Sequence, residues 1–185
     1  EGLMKSSDYE IVVRDRSPQV RYTERNYVLP RTGQAGVPLV SVNAPKLDVE
    51  VLRIGDRNLL PSLRSEEFLN QLSGSTARTI AEQKGVRVWK GSLDTAKAEL
   101  NGEAVTAVPV LQAVGRLEPG IYVMLAQPSG VAPASDEEGG GYETQATQWF
   151  VVSDIGLTAF TGGDGVHVFL RSLASAQAVS GAEER

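Results

Sequence analysis

The feature that most constrains this chain is a two-residue hydrophobic rhythm that returns along most of its length. In Leu47-Asp48-Val49-Glu50-Val51 the three aliphatic residues fall on one side of an extended chain and the two acids on the other. Val86, Val88 and Lys90 alternate with Arg87 and Trp89; Ile121, Val123 and Leu125 alternate with Tyr122, Met124 and Ala126. Val166, Val168 and Leu170 alternate with His167, Phe169 and Arg171. Four further β-rich runs are Val20–Leu29, Val37–Val42, Val105–Val114 and Thr147–Ile155. A chain built this way buries sheet faces, so its fold class is all-β.

Turn signals separate the runs: Arg31-Thr32-Gly33, Asn101-Gly102, Glu118-Pro119-Gly120 and Gly162-Gly163-Asp164-Gly165. Short strands punctuated in this manner predict a sandwich rather than alternating strands and helices. Pro38 and Pro109 lie inside two of the runs, which places those runs at sheet edges or at bulges. Between Ser62 and Lys84 the apolar residues Leu63, Phe68, Leu69, Leu72, Ile80 and Ala81 follow a helical spacing, interrupted at Gly74-Ser75. That predicts an insertion of two short helices over 62–84. Ser129–Glu143, with three consecutive glycines and the acids Asp136, Glu137 and Glu138, reads as a flexible loop and a preferred site of proteolytic nicking.

The residues exclude several kinds of chemistry. No cysteine occurs, so disulfides, thiolate metal sites and cysteine nucleophiles are absent together. A single histidine, His167, nearly excludes the usual histidine metal clusters and Ser-His-Asp triads. A phosphate-cradling reading of Gly162–Gly165 fails because a strand follows it, where a helix N-terminus would be needed. Asp136-Glu137-Glu138 lacks the alternating oxygens of a calcium loop, and Asp94, Glu99 and Glu103 show no acid/base arrangement. Trp89 and Trp149, with Tyr22, Tyr27 and Tyr122, fit cross-strand packing better than a carbohydrate platform. No catalytic, cofactor-binding or metal-ligating residue is expected. The net charge of -5 argues against a nucleic-acid partner, and no apolar stretch approaches the roughly 20 residues of a membrane-spanning helix.

Four groups of residues carry a family resemblance. The first is Asp15-Arg16-Ser17-Pro18, then Tyr27–Arg31 and Gly36-Val37-Pro38-Leu39; the second is Val42-Asn43-Ala44, Val49–Leu52 and Arg53–Leu59. The third is Trp89-Lys90-Gly91 with Pro119–Val123; the fourth is Gln148–Leu157 with Asp164–Phe169 and Arg171-Ser172-Leu173. In this order they resemble the N-terminal half of bacterial alpha-2-macroglobulins. The resemblance implies a macroglobulin-like domain, a seven-stranded antiparallel sandwich similar to fibronectin type III and Ig-like folds. The runs from Val20 to Ile155 number seven. The expected organisation is a preceding domain's tail or linker over 1–17, the sandwich over 18–155, and a truncated start of the next macroglobulin-like domain over 156–185.

That family traps proteases through a bait segment and a thioester. The absence of cysteine removes a thioester from this chain, and no bait region is recognisable in it. The expectation is a structural and interaction domain, without enzymatic activity or cofactor, in a periplasmic inhibitor. Its partners would be neighbouring macroglobulin-like domains and, through the parent, target proteases. A membrane would be met only through a lipid anchor outside the chain. The alternative is an Ig-like adhesin or glycan-binding module, which predicts a coplanar exposed pair of tryptophans.

Overall fold

The computed structural model describes residues 14–23, 27–29, 36–115, 117–131 and 144–181. Two sheets form an open sandwich. The smaller contains β1 (Gln19–Tyr22), β3 (Val37–Val42) and β6 (Glu103–Val108) in the order β1-β3-β6. The larger contains β2 (Tyr27–Leu29), β4 (Lys46–Ile54), β5 (Gly85–Asp94), β7 (Gly120–Pro128) and β8 (Ala146–Val152), ordered β2-β8-β7-β4-β5. Val20, Val37, Leu39 and Val108 from the small sheet meet Leu47, Val49, Val51, Tyr122, Met124 and Phe150 from the large one in the main core. Tyr122 stacks on Phe150 with ring centroids 5.1 Å apart, and its hydroxyl donates to the Glu118 carbonyl at 2.7 Å.

The expected count of seven antiparallel strands changes in one place. The Val20–Leu29 run divides into β1 and β2, which belong to different sheets, so the sandwich has eight strands among the described residues. β2 pairs with β8 in parallel, Val28 opposite Val151, whereas the other ladders are antiparallel. The Val105–Val114 run is likewise shorter. Pro109 ends β6, and its carbonyl accepts from the Ala113 amide at 2.9 Å to start the helical turn α3 (Val110–Val114). Pro38 lies in the middle strand of the small sheet rather than in an edge strand. It is accommodated because β1 pairs only with Leu39–Val42, leaving β6 as its sole neighbour at that level.

The insertion is helical, with shifted bounds. α1 runs from Asp56 to Leu63, so it ends about where the first helix was expected to begin. Gly74 opens a helix rather than breaking one: α2 (Gly74–Thr79) is capped by Ser73, whose hydroxyl accepts from the Thr76 amide at 3.1 Å. A π-helical turn, Ile80–Lys84, then leads into β5. The insertion seats on the outer face of the large sheet. Leu72, Ala77 and Ile80 close a second buried cluster over Leu52, Ile54, Ile121, Val123 and Trp149. Phe68 meets the Trp149 ring edge-on at 5.3 Å. Two hydrogen bonds fix its position on β8, Leu72 N–H to Thr147 Oγ1 at 2.8 Å and Thr147 N–H to Gln71 Oε1 at 2.9 Å.

After β8 the chain forms a separate two-stranded sheet, β9 (Ile155–Gly162) and β10 (Gly165–Ser172), joined by Gly163-Asp164. This is the hairpin expected from Leu157–Phe160 and Val166–Leu173. Of the expected flexible loop over 129–143, residues 132–143 lie outside the described residues.

Trp89-Lys90-Gly91 acquires a packing explanation. The Trp89 ring lies over Gly91 and packs against the main core; a Cβ on Gly91 would come within 2.5 Å of the ring. Gly91→Ala should therefore cost about 1–3 kcal/mol in urea unfolding through overpacking. The same substitution in a Trp89→Leu background should cost less than half as much, a coupling that a double-mutant cycle measures directly. Equal costs in both backgrounds would contradict the contact.

Candidate functional site at the two ends of the sandwich

The residues singled out for chemistry do not converge. His167 stands on the hairpin surface with Nε2 at 3.0 Å from Asp164 Oδ1, and this hydrogen bond holds the Asp164 carboxyl below its ordinary range. Gly162–Gly165 surrounds the hairpin turn, with Gly165 in extended backbone at positive φ (134°). Glu103 pairs with Arg21 at 2.9 Å across the small sheet. Asp48 accepts from Ser92 and Ser129, which lower its pKa and tie β4 to β5 and to the end of β7. Asp136, Glu137 and Glu138 lie outside the described residues. Among the described residues no group of three His, Asp or Glu could hold a metal ion.

The two tryptophans lie on opposite faces of the large sheet. Trp89 pairs with Val51 and faces the main core; Trp149 is 1% exposed beneath the insertion. They do not form the coplanar exposed pair that a glycan platform requires.

What the structure builds with care is the point where the chain reaches the sandwich and the point where it leaves. At the first, Asn43 and Asn101 interlock, although 58 residues separate them. The Asn101 amide donates to Asn43 Oδ1 at 2.8 Å, and Asn43 Nδ2 donates to Asn101 Oδ1 at 2.8 Å. Asn43 Nδ2 also donates to the Arg16 carbonyl at 2.7 Å, and the Arg16 amide donates to Asn101 Oδ1 at 2.8 Å. Asn101 Nδ2 reaches Asp15 Oδ1 at 3.0 Å, and the Arg16 guanidinium reaches Gln19 Oε1 at 2.8 Å. Both asparagines take left-handed backbone, φ 48° and 65°, which asparagine tolerates better than most residues. The pair thus clasps Asp15-Arg16 immediately before β1.

At the second point only Ser153-Asp154 separates β8 from β9. The Asp154 carbonyl accepts from the Leu173 amide at 2.7 Å, and its carboxylate accepts from the Ala174 amide at 3.1 Å. Ser153 Oγ accepts from the Ile155 amide at 3.0 Å. The far end of β10 is thereby tied back to the linker.

These junctions occupy opposite ends of the sandwich. Asn43 precedes β4 at its Lys46 end, whereas Val152 pairs with Gly120, beside the Arg53-Tyr122 pair at the other end. β4 spans roughly 27 Å over its nine residues, so the chain passes the domain lengthwise. In the sequence, Asp15-Arg16, Asn43 and Asp154 stand out only through the family resemblance. The turn signal Asn101-Gly102 is the one local mark of the N-terminal clasp.

The family described as "Bacterial alpha-2 macroglobulin MG2 domain" matches residues 21–137. The chain belongs to this family. Among curated relatives, it is 32% identical over 181 residues to "Alpha-2-macroglobulin" of Xylella fastidiosa (strain Temecula1) and 27% identical to that of Escherichia coli (strain K12). These alignments cover 94% and 96% of this macroglobulin-family chain, and 10% of each relative. The chain therefore spans about a tenth of the length of the curated relatives it matches. The fold is similar to that of native Escherichia coli alpha-2-macroglobulin determined by cryo-EM, with a TM-score of 0.65, 22% identity, and coverage of 91% of this chain and 10% of that one. It is also similar to a crystal structure of the same protein spanning domains NIE-MG1, with a TM-score of 0.60, 21% identity, and coverage of 90% and 75%.

If the asparagine clasp holds the incoming chain, Asn101→Ala should raise hydrogen exchange at the Arg16 amide by at least about tenfold. It should also lower the stability of the sandwich by about 1–3 kcal/mol, for the unpaired partners it leaves. Unchanged exchange at Arg16 would show that the clasp does not hold this segment in solution.

Proposed function

We propose that the chain is a structural and interaction domain of a bacterial alpha-2-macroglobulin-type protease-trapping inhibitor, one of a shell of stacked domains, with no chemistry of its own. The observation that carries this reading is the pair of hydrogen-bonded junctions at opposite ends of one sandwich. A module that clasps the arriving chain and releases it through a two-residue linker hydrogen-bonded to the following hairpin transmits position from one neighbour to the next. Its partners are the adjoining macroglobulin-like domains of the same chain and, through the parent, the trapped proteases. Family membership supports a parent among bacterial inhibitors, with the periplasm as the proposed location and a lipid anchor outside this chain. No helix among the described residues is long and apolar enough to cross a membrane.

The domain boundaries follow. Residues 1–17 are the tail of a preceding domain or a linker, 18–155 the sandwich, and 156–185 the first strands of a following domain. The separate sheet formed by β9 and β10 supports the second boundary.

Deletion of Thr158–Arg185 should leave the stability of the sandwich within about 1–2 kcal/mol, since separate domains share few contacts. Collapse of the truncated chain in denaturant melts would place a core strand in the hairpin and move the boundary. Titration with glycans should show no binding that depends on Trp89 or Trp149; a signal lost in Trp89→Ala would favour the glycan-binding module instead.

A further inference from the structure

The hairpin has two apolar faces, and they differ in kind. Residues paired across an antiparallel ladder share a face. One face carries the aliphatic residues Ile155, Leu157, Ala159, Val166, Val168 and Leu170, with Thr161 and Ser172 at its two ends. The other carries Phe160 and Phe169, whose rings meet edge-on at 5.8 Å, with Leu173 lying over Gly156. Around this aromatic pair stand Thr158, His167 and Arg171, and a shallow groove runs along it between the rings and Leu173. Both faces are open in the 185-residue chain: Val166 is 66% exposed, Val168 50%, Phe160 59% and Phe169 59%. A single sandwich core can cover only one of them.

We infer that the aliphatic face is the core face of the following domain and that the Phe160–Phe169 face is a seam against another domain of the same polypeptide. This rests on the reading that a further domain begins at 156. The mainly aliphatic face, which carries no charged or aromatic residue, has the composition of a sandwich interior. The aromatic face, rimmed by one arginine, one histidine and one threonine, has the composition of a protein interface, where aromatics and arginine are enriched and the rim is polar. The occupant is another domain of this polypeptide because the matched relatives are about ten times as long as this chain. Only Ser153-Asp154 separates the hairpin from β8, and Asp154 ties the end of β10 to that linker, so the hairpin stays close to the sandwich.

Ala159 and Thr158 are adjacent, small, exposed here and on opposite faces, so Ala159→Cys and Thr158→Cys probe the two faces with little change in volume. In the 185-residue chain both thiols should react with a maleimide rapidly. In the full-length parent, read peptide by peptide, both should be protected in native buffer by about tenfold or more. With added urea, Thr158→Cys should become reactive first, as domains separate, and Ala159→Cys only as its own domain unfolds. Identical urea profiles would overturn the inference by making both faces core. Native reactivity of Thr158→Cys in the parent as fast as in the short chain would overturn it by leaving that face open. Native reactivity of Ala159→Cys in the parent would instead refute the following-domain reading, and the inference with it.

Discussion

The arrangement of this molecule depends on a sheet that is apolar on both sides. In β8 the neighbouring residues Trp149 and Phe150 point to opposite faces and both are buried, to 1% and 0% exposure. Phe150 needs the three-stranded sheet above it, and Trp149 needs a cover below. A sandwich alone supplies only the first. The insertion between β4 and β5 supplies the second, placing Phe68, Leu72, Ala77 and Ile80 where solvent would otherwise meet Ile121, Val123 and Trp149. Burial of a large aromatic and several aliphatic side chains is worth on the order of 1.5–3 kcal/mol each, so the insertion is a third layer of the fold rather than a decoration.

This third layer fixes what the ends of the domain can do. Gln71 and Leu72 are hydrogen-bonded to β8, the same strand that leads through Ser153-Asp154 into the hairpin. The exit is therefore carried by a strand held on both faces and, at its edges, by β7 and β2. The N-terminal clasp obeys a similar logic with polar groups. Asn43 and Asn101 close two different turns and hold Asp15-Arg16 between them, so the incoming chain is aligned by the same turns that begin β4 and β6.

How much of this the sequence shows depends on which interactions are local. Alternation located β4, β7 and β10 closely, because each has a face with a distinct polarity or side-chain shape. The unbroken run Trp149-Phe150-Val151-Val152 identified a strand but hid its two-sided burial, since a continuous apolar segment has no period to read. Tyr22 and Tyr27 lie in one β-rich run, yet β1 and β2 part into different sheets, a decision made by tertiary pairing rather than by propensity. The parallel pairing of β2 has no local signature at all. Pro109 inside a β-rich run suggests an edge or bulge, yet it ends a strand and starts a helical turn, both consequences of its missing N–H and fixed φ. For the junctions, the hydrogen bonds between Asn43 and Asn101 join residues 58 apart, and spacing alone cannot reveal them.

The hairpin poses the same constraint as the large sheet without its solution. β9 and β10 place aliphatic residues on one face and the Phe160–Phe169 pair on the other, as β8 places Phe150 and Trp149. In the large sheet the aromatic contact on the outer face, Phe68 against Trp149, joins two segments that are distant in sequence. In the hairpin the edge-on pair joins two adjacent strands and presents its remaining surface outward. Exposed aromatic surface of this kind gains free energy only when another body covers it. Its position one short, hydrogen-bonded linker away from a rigid strand limits which bodies can do so, because a neighbour seated there is oriented by β8 as well as by the seam itself.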